Sequence, residues 1–156
     1  SKDIAPGKLD NLVAGGQPYG ISIYDNLAKE CQEEAGIPRE IALTSRFCGT
    51  LSYICEQTDG LRDDVAFCFD LHLSDEFVPS NLDGEVMDFQ LLPVEKMAKI
   101  VRETDQFKFN SALVLIDFLV RKEIIGSTTK DHETITQSLG NANTPAQYKQ
   151  NNLFNY

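Results

Sequence analysis

The sequence predicts a mixed α/β (α+β) domain, on three observations. Segments with the 3.6-residue period of amphipathic helices follow segments with strand-like alternation from residue 9 to residue 122. The length of 156 residues suits one domain and falls short of two. Hydrophobic residues make up 42% of the chain, which is enough for a packed core and too much for a disordered segment.

Leu9–Ala14 is a short strand candidate that runs into Gly15-Gly16-Gln17-Pro18-Tyr19-Gly20, a loop dense in turn formers. Ser22 is placed to cap the next helix, with Asp25 three residues on as an imperfect capping box. Leu27, Ala28, Cys31 and Ala35 form its apolar stripe, Gly36 suits a left-handed terminator, and Pro38 prevents continuation. Residues 38–44 suggest a second, short helix. Phe47–Glu56 and Val65–Leu73 alternate apolar and polar residues around Thr58-Asp59-Gly60, the signature of a β-hairpin. After the turn-rich residues 75–84, Glu85–Leu92 reads as a further strand, Pro93–Val101 as a short helix and Ser111–Lys122 as a longer one. The domain is expected over residues 1–126, with 127–156 a polar C-terminal tail rich in Ser, Thr, Asn and Gln, mobile at its end over Asn141–Tyr156.

The net charge of −10 argues against non-specific grip on nucleic acid or on an anionic membrane, both of which require Lys/Arg-rich surface. The longest apolar run, Ala112–Val120, falls well short of the ~20 residues of a membrane span. With no leader pattern at its start, the chain is expected to be soluble and cytoplasmic, or organellar if a targeting segment was removed. Cys31, Cys48, Cys55 and Cys68 form no CxxC pair and read as reduced core residues. His72 and His132 have no Cys or His at ligand spacing and read as structural or exposed. Asp117, inside an apolar helix, is expected to cap or bridge a neighbouring element.

The most informative stretch is Lys29-Glu30-Cys31-Gln32-Glu33-Glu34-Ala35-Gly36. On a helix, Glu33 and Glu34 stand three and four residues beyond Glu30, so three carboxylates share one side. Like charges at that spacing each cost a few tenths of a kcal/mol, about 0.2–0.5 in an isolated helix. They also lie toward the C-terminal end, where the macrodipole disfavours anions. Helix stability alone does not select this pattern. A divalent cation such as Mg²⁺, held by carboxylate oxygens and substrate phosphates, resolves the conflict; the competing reading is a solvated acidic face.

Loop and helix together, GGQPYGISIYDNLAKECQEEAGI, resemble the Nudix box: Gly, five residues, Glu, seven residues, Arg-Glu, apolar, any, Glu-Glu, any, Gly, apolar. Gly15 takes the first position, Glu30 the Glu of the Arg-Glu pair, Cys31 the apolar slot, and Glu33 and Glu34 the Glu pair, followed by Gly36 and Ile37. Ile21 stands where the pattern has Glu, and Lys29 where it has Arg. The residues before the box from Pro6 to Pro18, Asp83-Gly84-Glu85-Val86 with Phe89, and residues 110–118 look like the Nudix branch associated with thiamine pyrophosphokinase.

That resemblance implies a Nudix α/β/α sandwich with a mixed sheet and a strand-loop-helix-loop box. It implies a metal-dependent hydrolase that cleaves a diphosphate bond in a small molecule. Glu30, Glu33 and Glu34 would hold Mg²⁺ or Mn²⁺, with Glu34 or the loop residue Glu85 as base, and Gly15, Gly16 and Tyr19 would contact substrate. The implied substrates are oxidised or damaged thiamine diphosphate derivatives. A nucleotide such as 8-oxo-dGTP or an ADP-linked compound is the alternative, and a non-catalytic binding module is the reading from a different class. Tyr19, Tyr53 and Phe69 are equally suited to stack on any of these rings or to serve as core aromatics. The family fold has at least one strand before the one leading into the box, while only Ser1–Lys8 precede Leu9. The chain is therefore expected to lack its N-terminal strand, and a further N-terminal domain of this branch with it.

Overall fold

The computed structural model describes residues 7–57, 60–82, 84 and 86–140. In chain order the elements are α1 (Ile23–Ala35), α2 (Arg39–Ala42), β1 (Arg46–Gln57), β2 (Gly60–Asp70), α3 (Val94–Glu103), α4 (Phe109–Arg121) and α5 (His132–Gly140). The mixed α/β class holds, with β1 and β2 paired as an antiparallel hairpin, the two-stranded sheet of the described residues. The hairpin connection, Thr58-Asp59, and the expected mobile segment Asn141–Tyr156 lie outside the described residues.

The described residues form two compact units, one drawn from 7–10, 49–57, 60–68 and 92–140, the other from 11–48, 69–82, 84 and 86–91. In the first, α3 packs on α4: Met97, Phe107 and Leu119 are buried among Leu9, Leu92, Ala98, Val101, Leu115 and Phe118. Along the hairpin in this unit, Leu51 and Cys68 are buried while Ile54 and Leu61 are exposed, and Tyr53 donates a hydrogen bond across the strands to Asp64 at 3.0 Å. Asp117 is buried in α4, and the structure corrects its expected role. Its partner is Arg121 at 2.6 Å, one turn on in the same helix rather than in a neighbouring element.

The second unit is built around α1. Ser22 caps it, accepting the Asp25 N–H at 3.0 Å, and Gly36 ends it with φ +66°, a conformation that strains any residue bearing a β-carbon. Ala28, Cys31 and Ala35 pack with Ile37 and Ala42 against Val13, Leu27, Leu71, Leu73 and Phe77. Tyr24 and Phe47 both meet Phe69, with ring centres 5.7 and 5.4 Å apart. β2 stops at Asp70, so Leu71 and Leu73 join this core from an irregular segment and His72 lies exposed between them.

Two expected strands do not form. In Leu9–Ala14, only Leu9 bridges to another segment, in parallel with Phe107, through bonds to Gln106 and Lys108. Further along, the Ala14 N–H goes to a carboxylate rather than to a neighbouring strand. The described part of Glu85–Leu92 is irregular because side chains satisfy its backbone locally: Asn81 donates to the Val86 carbonyl and Asp88 accepts the Phe89 N–H. Met87 and Leu91 are almost fully exposed, so no apolar face there holds a strand against a core. In the polar segment after Gly126, where composition gives no helical signal, the chain forms α5. Among the described residues no helix is long and apolar enough to cross a membrane.

Candidate metal and diphosphate site

Glu30, Glu33 and Glu34 lie on the last turns of α1, and the loop before the helix folds back along the same ridge. Ala14 donates its N–H to Glu34 Oε2 at 2.8 Å. A β-carbon at Gly15 would strike the Glu30 carboxyl group, so any larger residue there would push that side chain aside. The Gly16 carbonyl accepts from Asn26 Nδ2 at 3.0 Å. Three consecutive loop residues thus meet three helix residues at steps of four, 34, 30 and 26, the spacing of one helix ridge. Gln17 closes the loop by donating from Nε2 to the Ile21 carbonyl at 2.6 Å.

The turn after the helix is fastened as firmly. Ser80 and Leu82 donate their N–H groups to the carbonyls of Ala35 and Glu33 at 3.1 and 3.0 Å, satisfying acceptors that a helix end leaves open. A β-carbon on Gly36 would strike Ser80 Oγ. Asn81 accepts the Gly84 N–H at 2.8 Å and donates to the Val86 carbonyl. Glu85 itself lies outside the described residues.

Lys29 answers the charge of the carboxylates. Its ammonium lies 2.7 Å from Glu33 Oε2 and 3.1 Å from Glu30 Oε1, and these two partners, Glu33 first, raise its pKa above the ordinary lysine value. Burial, with Glu34 and Glu30 nearby, pushes the Cys31 thiol up to about 11, so it is a packed, unreactive group beneath the site. At the other end of α1, the Ser22 hydroxyl and then Arg39 hold the Asp25 carboxyl below its usual value.

The donor set suits a hard divalent cation in kind, since carboxylate oxygens are what Mg²⁺ takes. The bare Gly15 backbone brings the loop directly onto Glu30. As the side chains stand, however, Lys29 engages Glu30 and Glu33, and no group of three or more His, Cys, Asp or Glu among the described residues forms a metal-holding cluster. Of the residues expected to contact substrate, Gly15 sits on Glu30, Gly16 is open on its Cβ side, and Tyr19 is fully exposed on the loop. Reasoning from sequence missed Asn26, a buried amide in the first turn of α1 whose Oδ1 has no hydrogen-bond partner among the described residues. Its signal was its place four residues before Glu30. Asn81, which fastens the second loop, carried no signal beyond being an Asn in a turn.

No family model matches the sequence. Nudix hydrolase 20, chloroplastic, of Arabidopsis thaliana is 47% identical over 141 residues, covering 90% of this chain and 38% of the relative. Nudix hydrolase 24, chloroplastic, of the same plant is 50% identical over 125 residues, covering 80% of this chain and 34% of the relative. An uncharacterized protein of Saccharomyces cerevisiae is 32% identical over 133 residues, covering 78% and 39%. The chain spans less than two fifths of the length of these curated relatives.

Proposed function

The chain belongs to the Nudix hydrolase family, and on that premise we propose that it hydrolyses the diphosphate bond of a small molecule, with oxidised or damaged thiamine diphosphate derivatives as substrates and the monophosphate as product. The observation that carries this reading is the contact between the glycine loop and the three glutamates of α1: Ala14 on Glu34, Gly15 on Glu30. The thiamine assignment is supported by the resemblance of the flanking segments, residues 6–18, 83–89 and 110–118, to the thiamine pyrophosphokinase-associated branch.

Glu30, Glu33 and Glu34 are the proposed holders of Mg²⁺ or Mn²⁺. Such an ion neutralises adjacent diphosphate oxygens and lowers the pKa of a water bound to it. The chain's own residues do the rest. The Ala14 N–H holds Glu34 and the Gly15 backbone lies against Glu30, which supports carboxylates ordered before substrate arrives. The proton from the attacking water passes to Glu34 or to Glu85. The latter role is supported by the resemblance of residues 83–89 to that branch. Tyr19, exposed on the loop, offers a ring for stacking on a thiazole or pyrimidine. The two chloroplastic plant relatives support an organellar location, which fractionation of the source cells would check.

The test is release of monophosphate from thiamine diphosphate, oxothiamine diphosphate, oxythiamine diphosphate, 8-oxo-dGTP and an ADP-linked compound, with and without Mg²⁺ or Mn²⁺. Turnover of the damaged thiamine compounds that is lost in Glu33→Gln is expected. Preference for 8-oxo-dGTP or the ADP compound replaces the substrate assignment. No turnover of any diphosphate, or turnover indifferent to Glu33→Gln, leaves a binding module.

A further inference from the structure

We propose that Lys29 is an internal counter-ion that competes with the divalent cation for Glu30 and Glu33, making the site bind metal weakly until substrate is present. The inference rests on the reading of these glutamates as metal holders. Its observations are independent of that reading.

The ammonium of Lys29 lies within 3.1 Å of one carboxylate and 2.7 Å of another, so it holds a positive charge on two of the three residues that would hold the metal. Neighbours at i,i+1 do not ordinarily face each other on a helix, so Lys29 reaches Glu30 only by folding its chain across the acidic ridge. The pair with Glu33 also runs in the poorer direction: lysine precedes glutamate by four residues, whereas the helix dipole favours the reverse order. A pair selected for helix stability would be written the other way round. The pattern that this segment resembles has an acid at position 21 and arginine at position 29; here Ile21 offers no charge. The basic side chain at 29 therefore turns to the acids beside it. A mobile primary ammonium with three donors can leave as a cation enters, which a guanidinium forked onto two carboxylates would resist more. A diphosphate supplies the anionic oxygens that bring a metal to the site and give the displaced ammonium a new partner.

The measurement is Mn²⁺ affinity of the 156-residue chain, read by the paramagnetic signal of free Mn²⁺ in the absence of any diphosphate. Wild type is compared with Lys29→Gln, Lys29→Arg, Glu33→Gln and Lys99→Gln, the last removing one positive charge from a different helix. Lys29→Gln is expected to bind Mn²⁺ roughly tenfold tighter, as removal of one cation adjoining a divalent ion implies at a half-exposed site. Lys29→Arg should bind no more tightly than wild type, and Lys99→Gln should change affinity less than twofold. Thermal unfolding supplies the second readout. Without metal, Lys29→Gln should unfold at a lower temperature than wild type because two carboxylates lose their cation, and Mn²⁺ should raise its midpoint by more than it raises that of wild type.

Equal Mn²⁺ affinity in wild type and Lys29→Gln, with binding still lost in Glu33→Gln, overturns this inference and leaves the proposed hydrolase standing. Equal tightening in Lys99→Gln overturns it as well, since a general charge effect then accounts for the change. Failure of wild type and Lys29→Gln alike to bind Mn²⁺ overturns both the inference and the metal role of the glutamates.

Discussion

The backbone of Gly15 rests against the carboxyl group of Glu30, so closely that a β-carbon there would strike it. This contact, with the Ala14 to Glu34 and Asn26 to Gly16 hydrogen bonds on either side, makes loop and helix one piece. The Glu34 carboxylate is thereby held by main chain, which has no rotamers to lose.

Gly15→Ala should therefore displace either the loop or Glu30. Because the struck atoms are the end of Glu30's side chain, which can swing away, little loss of stability is expected, and the main effect is at least a tenfold fall in the rate of the proposed diphosphate hydrolysis as Glu30 is displaced. Gly16→Ala meets nothing within 4 Å and should lower the rate much less. Denaturant unfolding and initial rates of the two variants, side by side, check the contrast. Equal effects would contradict the contact.

Asn26→Ala removes the donor to the Gly16 carbonyl from a buried position. Loss of about 1–2 kcal/mol is expected, the range for deleting one member of a buried hydrogen bond. Because the loop is freed next to the proposed substrate site, KM should rise more than kcat falls. Steady-state kinetics over a range of substrate concentrations separates the two.

Cys31 has its thiol pushed from 9.0 to about 11 by burial and by Glu34 and Glu30. The folded state binds this proton more tightly than the unfolded state. The stability so contributed is fully present below pH 9 and is lost as pH rises from 9 to 11. The unfolding midpoint should decline across that window, and decline less in Cys31→Ala. In the folded protein at pH 8, iodoacetamide should label the half-buried Cys48 and Cys55 well before Cys31, as mass spectrometry of the peptides will show.

Asp25 shows the opposite sign. The Ser22 hydroxyl and Arg39 hold its carboxyl below the usual 3.8, so it contributes stability above that pH and loses it as pH falls through the lowered value. The stability difference between wild type and Asp25→Asn should be constant near neutrality and shrink in acid below pH 4. Urea unfolding at several pH values measures it, and a difference independent of pH would exclude the linkage.

What could be read from residues alone was what neighbours in the chain decide. The extent of α1, its Ser22 cap and its Gly36 terminator follow from local bonding and backbone sterics, and the structure has all three. The hairpin was readable for the same reason, although β2 begins nearer the turn and ends sooner than alternation implied. The two absent strands mark the limit of that method. A strand is fulfilled only by a partner, and alternation in Leu9–Ala14 cannot reveal that the Ala14 N–H goes to Glu34.

The sequence by itself determined that three glutamates share one side of a capped helix behind a glycine loop, because spacing of three and four residues has only one meaning on a helix. Tertiary structure alone decided what those groups touch: that the loop runs back along the ridge of residues 34, 30 and 26, and that the second loop closes on the carbonyls of Glu33 and Ala35. It also decided the partners of Lys29, whose long side chain could have reached water or any acid within its radius. Periodicity fixes the face on which a side chain lies; which group it meets depends on segments folded beside it, and that information is not local.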